Sequence, residues 1–219
     1  MENKEINIHI SDDVDLKGNL NIPKKSKALV IFSHGSGSSR FSSRNRFVAQ
    51  LLNKQNIATL LTDLLTEEED KNFENRFDIE LLTERLVKVT NYVSQILDFK
   101  DLKVGYFGAS TGAASAVKAA TQLKNKIQAV VSRGGRPDLA GDSLSELVVP
   151  TLFLIGSLDT QVIKLNNQAF NKLKCEKKIQ IIEGASHLFE EPGKLNEVAQ
   201  YAIDWFQKHL VLSPELNKI

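Results

Sequence analysis

The chain has 219 residues, and its 28 Lys and Arg residues nearly balance its 27 Asp and Glu residues, so the formal net charge is +1. This balance argues against a nucleic-acid binder, and 42% hydrophobic with 25% charged residues is typical of a globular protein. No apolar run approaches the roughly 18 residues of a membrane span, the charged N-terminus lacks a signal core, and the single Cys175 excludes an internal disulfide. We therefore expect a cytoplasmic protein with one domain over residues 1–219, a monomer or homodimer that binds neither nucleic acid nor membrane.

Apolar strand-like runs alternate with helical periodicity along the chain. Residues 6–10 and 16–22 predict an opening hairpin, and continuous apolar runs predict buried strands at 28–32, 58–62, 104–107, 129–131, 151–155 and 179–182. Helices are predicted at roughly 46–54, 78–97, 111–123, 165–173 and 194–209. The polar residues 66–76 favour a solvated loop. This order predicts an α/β fold, an open and mostly parallel sheet of about eight strands with helices on both faces.

A serine motif follows the strand predicted at 104–107. Gly108, Ser110 and Gly112 form G-x-S-x-G before an alanine-rich helix, the context in which this motif presents a nucleophilic serine. The small glycines let strand and helix approach closely, and the helix N-terminus directs N–H groups towards an oxyanion. A dinucleotide-binding loop is excluded because the glycine spacing is wrong and the motif comes late in the chain.

A serine nucleophile needs a base, and His187 is the best placed of the four histidines. It follows the last predicted strand, at the sheet edge where ligands of α/β proteins bind, whereas the other histidines have simpler structural or loop roles. Asp159 follows the preceding strand and is the expected acid. Asp63 also follows a strand, but it precedes the serine and is better explained as structural. The order Ser110, Asp159, His187 is that of α/β-hydrolases.

The loop after the strand at 28–32 is the expected oxyanion loop. It contains His34, Gly35, Ser36 and Gly37, and its expected donor is the Ser36 N–H. The second donor would be the N–H of Thr111, the residue after the nucleophile. A phosphate-binding loop is excluded because no Gly-Lys-Ser or Gly-Lys-Thr run follows.

Arginines are concentrated at the same sheet edge. Five of the seven lie within residues 40–46 and 133–136, two segments that follow predicted strands and contain no lysine. Guanidinium groups bind carboxylate or phosphate in a two-point contact that lysine cannot reproduce. Three arginines are therefore candidates for binding an anionic group of the substrate: Arg40, Arg133 and Arg136. The simpler alternative is pairing with nearby carboxylates: Asp138, Asp142 and the acidic residues 67–70.

The chain resembles the α/β-hydrolase superfamily, and within it the small bacterial hydrolases similar to dienelactone hydrolase. The resemblance covers the whole chain and rests on four segments: residues 34–40, 106–112, 132–138 and 187–193. It implies an eight-stranded sheet and places nucleophile, acid and base at Ser110, Asp159 and His187. Relatives occur alone or fused to a phosphoribosyltransferase domain, which we do not expect here. Dienelactone hydrolases have a cysteine nucleophile, so the serine implies ester hydrolysis without specifying the dienelactone substrate.

These observations predict a serine hydrolase that cleaves a small-molecule ester or lactone through an acyl-enzyme, without a metal or an organic cofactor. Residues 132–150 are too few for a helical cap domain, which favours an open site. One alternative is an acyltransferase, thioesterase or perhydrolase with the same triad. Another is a non-catalytic protein that binds an anionic metabolite at the arginine-rich edge.

Overall fold

The computed structural model describes residues 2–96 and 102–212, which form an eight-stranded sheet. The strands are β1 (Glu2–Ser11), β2 (Val14–Ile22), β3 (Ala28–Ser33), β4 (Ala58–Thr62), β5 (Lys103–Ala109), β6 (Ile127–Arg133), β7 (Thr151–Gly156) and β8 (Lys177–Ile182). Their order in the sheet is β1-β2-β4-β3-β5-β6-β7-β8. Strand β2 of the β1–β2 hairpin pairs antiparallel with β4, and the six strands β3 to β8 form the parallel part of the sheet, with β5 and β6 at its centre. The predicted α/β fold and the predicted strands are confirmed.

The described residues form six α-helices, five of which lie between strands and the last of which follows β8. They are α1 (Ser43–Lys54), α2 (Ile79–Ile96), α3 (Gly112–Gln122), α4 (Ser143–Glu146), α5 (Thr160–Lys172) and α6 (Lys194–Phe206). Helix α1 begins three residues before the predicted start at 46, and α5 begins five residues before the predicted start at 165. The predicted end of α2 at residue 97 lies outside the described residues. None of the helices in the described part of the chain could span a membrane.

The sheet is covered on both faces, which explains the continuous apolar runs of its inner strands. Every residue of β3, β4 and β7 is buried. One hydrophobic cluster joins the sheet to α1 and α6, and the other joins it to α2, α3 and α5. Since both faces are occupied, the loops at the carboxyl ends of the parallel strands remain for binding a ligand.

Residues 66–77 are more ordered than the solvated loop that their composition predicts. They contain two 3-10 turns, Glu69–Lys71 and Phe73–Phe77. The Thr66 N–H donates to Glu69 Oε2 at 2.8 Å, and the Glu69 N–H donates back to Thr66 Oγ1 at 3.1 Å. Arg85 of α2 donates to Glu69 Oε1 at 2.6 Å, and this hydrogen bond anchors the segment to α2.

Candidate active site

The motif around Ser110 forms a sharp turn between β5 and α3. Ser110 has a φ of +51°, a left-handed conformation that is strained for a residue with a side chain. A Cβ at Gly108 would lie 2.5 Å from the Ala113 Cα, and one at Gly112 would overlap the Ser33 carbonyl oxygen. Both glycines are therefore required by close backbone approaches, as the motif predicts.

The two predicted triad partners of the serine form a direct hydrogen bond. His187 Nδ1 lies 2.6 Å from Asp159 Oδ2. Asp159 precedes the first residue of α5, and its side chain is 14% exposed, whereas that of His187 is 40% exposed. A carboxylate can only accept, so the proton of this bond belongs to Nδ1, and Nε2 of the neutral imidazole keeps its lone pair.

The loop after β6 links the histidine loop to the nucleophile. The Ser110 N–H donates to the Arg133 carbonyl at 3.3 Å, and a Cβ on the next residue, Gly134, would lie 3.6 Å from His187 Cε1. These contacts place both His187 and Ser110 against the loop after β6. Among the hydrogen bonds of the described residues, none joins Ser110 Oγ to His187 Nε2. Catalytic hydrogen bonds of this kind often tighten only when substrate binds.

The predicted oxyanion loop lies directly against the serine. A Cβ at Gly35 would lie 2.9 Å from Ser110 Cβ. The Ser36 N–H donates to Thr111 Oγ1 at 2.9 Å, so the two predicted donor residues are in contact, but the Ser36 N–H is engaged by a side chain. Thr111 directly precedes α3, where the first N–H groups have no acceptor within the helix.

His34 is a structural residue of this loop. Its Nε2 lies 3.1 Å from the Leu64 nitrogen and accepts from that N–H, so Nδ1 carries the proton and donates to the Gly35 carbonyl at 3.0 Å. Burial lowers the pKa of His34, and this outweighs the Gly35 hydrogen bond and the charges of Asp63 and Asp70, which raise it. The neutral ring therefore connects the oxyanion loop to the loop after β4.

The three candidate substrate-binding arginines have different environments. Arg40 pairs with Asp63, whose Oδ1 also accepts the Arg40 N–H at 2.8 Å, so Asp63 is a structural carboxylate. Arg136 forms a two-point contact with Asp138, with nitrogen–oxygen distances of 2.9 Å, as the simpler alternative predicts. Arg133 is buried and donates only to the Asn45 side-chain oxygen, at 3.4 Å. Of the three, Arg133 alone has no carboxylate partner among the described residues.

A cleft of about 560 Å³ lies beside the oxyanion loop. Residues of β2, the oxyanion loop and the segment after β4 line it, including Lys17, His34, Ser39, Asp63 and Glu67. Ser110, Asp159 and His187 do not line this cleft. No group of three or more His, Cys, Asp or Glu side chains in the described ranges could hold a metal ion.

A comparison with protein families identifies the family of the chain. Residues 16–212 match the model of the dienelactone hydrolase family. The chain belongs to the dienelactone hydrolase family. The crystal structure of a dienelactone hydrolase from Anabaena variabilis is 48% identical in sequence, has a TM-score of 0.92, and aligns over 95% of this chain and 98% of that one. Both the family and the α/β-hydrolase fold are therefore shown.

Two further relatives differ in what they support. A Mycobacterium tuberculosis protein provisionally named a phosphoribosyl transferase is 49% identical over 210 residues, which are 96% of this chain and 47% of that protein. The chain thus spans about half the length of the curated relatives that it matches. A Xanthomonas campestris protein described as an α/β serine hydrolase without a lid has a TM-score of 0.78 over 97% of each chain. Its identity is 18%, so it supports the fold alone.

Sequence reasoning missed three residues that organise this family member's site. Gly134 has a φ of +49°, and a Cβ there would lie 3.0 Å from the His187 carbonyl oxygen. Asn166 of α5 donates to the Gly135 carbonyl at 2.9 Å and so fixes the loop after β6. Asn45 contacts Arg133 across 88 positions of sequence. A glycine pair after a strand signals an unusual turn, but no local pattern indicates the two long-range asparagine contacts.

Proposed function

We propose that this protein is a serine hydrolase that cleaves a small ester or lactone through an acyl-enzyme. The observation that carries the proposal is the 2.6 Å hydrogen bond between His187 and Asp159, next to the loop that also contacts Ser110, a serine with a φ of +51°. The likeness to a dienelactone hydrolase over almost the whole of both chains supports the same reaction class.

Each member of the triad has a defined step in this mechanism. The Nε2 lone pair of His187 accepts the Ser110 proton as Oγ attacks the ester carbonyl, and Asp159 stabilises the imidazolium that forms. The imidazolium then donates its proton to the departing alcohol oxygen, which leaves an acyl group on Ser110. Water, deprotonated by His187, attacks this acyl group, and the carboxylic acid is released with Ser110 restored.

The oxyanion of each tetrahedral intermediate would be stabilised by the N–H groups of Thr111 and Ser36. The free N-terminal end of α3 supplies the first without rearrangement. The second is already directed at residue 111, where its present acceptor is Thr111 Oγ1 at 2.9 Å. An anionic oxygen is a stronger hydrogen-bond acceptor than a hydroxyl group. As negative charge develops on the intermediate, the Ser36 N–H would therefore donate to the oxyanion in place of Thr111 Oγ1.

The short connection after β6 favours a small substrate. Between β6 and β7 the chain forms one 3-10 turn, Pro137–Ala140, and the four-residue helix α4. Neither element is long enough to make a cap domain over Ser110. The ordered segment at residues 66–77 lies closer to the oxyanion loop than these two elements do, because Asp70 and Arg76 line a small cavity together with Gly35 and Ser36.

Burst kinetics with p-nitrophenyl acetate and butyrate test this proposal. We expect a burst of one p-nitrophenol per site, and we expect Asp159→Asn to lower kcat by roughly 10⁴-fold and Ser110→Ala by roughly 10⁶-fold. Asp63→Asn is the matched control, because this carboxylate also follows a strand but pairs with Arg40. The triad would be rejected if Asp63→Asn lost as much activity as Asp159→Asn, or if folded Ser110→Ala stayed active.

A further inference from the structure

Arg133 has an unusual environment for a charged side chain. It ends β6 and is 6% exposed. Five other arginines pair with carboxylates: Arg40, Arg44, Arg76, Arg85 and Arg136. Arg46, which has no ion pair among the described residues either, is exposed to water. Burying a charge without a counter-ion has a high free-energy cost, and an anion bound to the Arg133 guanidinium would reduce it.

The hydrogen bonds of Arg133 leave most of its donors unused. A guanidinium carries five N–H donors. In the described residues the Arg133 side chain makes one hydrogen bond, a long one of 3.4 Å from Nη2 to Asn45 Oδ1. Its Nε is buried and has no acceptor. The Phe189 ring centroid lies 5.9 Å from Cζ, so an aromatic face covers one side of the group without satisfying its donors.

The surroundings of Arg133 are positively charged. Arg44, the neighbour of Asn45 in the first turn of α1, carries a second guanidinium, and that turn contains no acidic residue. Glu190 pairs with Arg44 at 2.8 Å and offsets one of the two charges. The N-terminus of this 12-residue helix adds a partial positive charge. Burial lowers the pKa of Arg133 to about 10, and the Arg44 charge lowers it in the same direction.

This cluster lies beside the proposed reaction centre. The Arg133 carbonyl accepts the Ser110 N–H at 3.3 Å. Phe189, which covers the guanidinium, comes two residues after His187 and packs against Gly134. The cluster therefore lies between the first turn of α1, which contains Asn45, and the histidine loop, which contains Phe189.

We propose that Arg133, Arg44 and Asn45 form a binding site for an anionic group, a carboxylate or a phosphate, on the non-reacting end of the substrate. The site rests on the proposed hydrolase function and specifies its substrate class. It assigns the main contact to Arg133 and not to Arg40 or Arg136, which pair with Asp63 and Asp138. Arg44 is also paired, but within the described ranges it bonds Glu190 through Nη1 alone and its buried Nε has no acceptor, so it would assist Arg133 with its remaining donors. The two-point geometry of a guanidinium matches both carboxylate and phosphate oxygens.

Two pairs of esters test the site at constant ionic strength. Monomethyl glutarate against methyl valerate probes a carboxylate on the acyl side, and the butyrate ester of glycerol 3-phosphate against glycerol monobutyrate probes a phosphate on the alcohol side. In at least one pair we expect kcat/KM to be tenfold or more higher for the anionic ester. Arg133→Gln and Arg44→Ala should each reduce that preference about tenfold, because each variant loses one charge-assisted hydrogen bond to the anion.

Arg46→Ala is the matched control, since it removes an arginine from the same helix and leaves the cluster intact. It should retain the anion preference. A preference near one in both ester pairs of the wild-type protein would overturn the proposal, as would an equal loss in Arg46→Ala.

A binding measurement separates this proposal from the hydrolase proposal. Glutarate or inorganic phosphate should raise the Tm of the wild-type protein more than that of Arg133→Gln at equal ionic strength, because a ligand that binds the folded state stabilises it. This readout needs no turnover. A protein that hydrolyses neutral esters but shows neither Tm shift nor anion preference would retain its hydrolase function and lose the anion site.

Discussion

Gly35 illustrates how one missing side chain sets the geometry of the site. A Cβ at this position would lie 2.9 Å from Ser110 Cβ and 3.1 Å from the Ala109 carbonyl oxygen. The oxyanion loop therefore reaches the nucleophile because residue 35 is glycine. Without that approach the Ser36 N–H could not lie within hydrogen-bond distance of Thr111.

We expect Gly35→Ala to impair catalysis more than stability. The added methyl group must push either Ser110 or the loop by several tenths of an ångström, and misplaced oxyanion donors cost about 10² in kcat. The free energy of unfolding should fall by only about 1 to 2 kcal/mol, a typical cost of overpacking. Ester kinetics with urea unfolding on the same preparation measure both. Unchanged kcat in a folded variant would contradict the contact.

His34 shows what residue-level sequence reasoning could and could not supply. The sequence places it in the oxyanion loop and assigns the base to His187. The structure adds that the ring accepts from Leu64 N–H and donates to the Gly35 carbonyl, which makes it a neutral connector. That role depends on a partner 30 positions away. The glycine contacts of the serine motif were predictable, because the motif itself prescribes them.

The order of the segment at residues 66–77 depends partly on a local sequence motif and partly on a contact with α2. Its composition predicts a solvated loop, yet Thr66 and Glu69 form the reciprocal hydrogen bonds of a capping box. That T-x-x-E signature was present in the sequence. The contact to Arg85, whose side chain is 9% exposed, comes from a different helix and could not be predicted locally.

Helix α5 begins earlier than its apolar pattern predicts. Apolar periodicity predicts the helix from residue 165, whereas it begins at Thr160. Asp159 immediately precedes its first turn, but its side chain makes no capping hydrogen bond to the helix, so the usual capping preference for aspartate does not explain this start. Because this aspartate also bonds His187, the helix start and the acid of the proposed triad coincide in one residue.

Glu69 gives a pH-dependent prediction for this segment. Burial alone would raise the pKa of Glu69, but the Thr66 N–H and the Arg85 guanidinium together hold it below its ordinary value. A carboxyl group whose pKa is lowered by folding stabilises the folded state fully at a pH above its pKa in the unfolded chain, which is near 4.5 for Glu69. This stabilisation is lost as the pH falls through the lower pKa of the folded state.

Glu69→Gln should therefore lower the free energy of unfolding by about 1 to 2 kcal/mol at pH 7, and by less at pH 4. Urea titrations at the two pH values measure the difference. Glu68→Gln is the matched control, because Glu68 is an exposed neighbour whose pair with Lys71 is on the surface. A deficit in Glu69→Gln that grew as the pH fell would contradict this account.

At the scale of the whole molecule, the sheet topology brings the site together. Ser110 follows β5, the loop with Gly134 follows β6, Asp159 follows β7 and His187 follows β8. Neighbouring parallel strands end at one edge, so these residues lie at the same edge of the sheet although 77 positions separate the serine from the histidine. This arrangement could be predicted because an alternating α/β pattern fixes which loops share an edge.

The charge balance of the site could not be predicted in the same way. Arg40, Arg133 and Arg136 look equivalent in the sequence, since all follow strands. Only the folded molecule shows that two of them meet carboxylates and that Arg133 is buried without one. Pairing between side chains from different loops depends on distances that neither composition nor periodicity encodes.

The central claim is that Ser110 is an activated nucleophile, and reaction with a fluorophosphonate probe tests it most directly. Intact mass and peptide mapping should find one adduct, on Ser110, that is absent from Ser110→Ala and retained in Ser38→Ala, which alters a serine of the oxyanion loop. Activation by His187 and an oxyanion site are both needed for this reaction. A folded protein that forms no adduct, or one labelled equally in Ser110→Ala, would contradict the account.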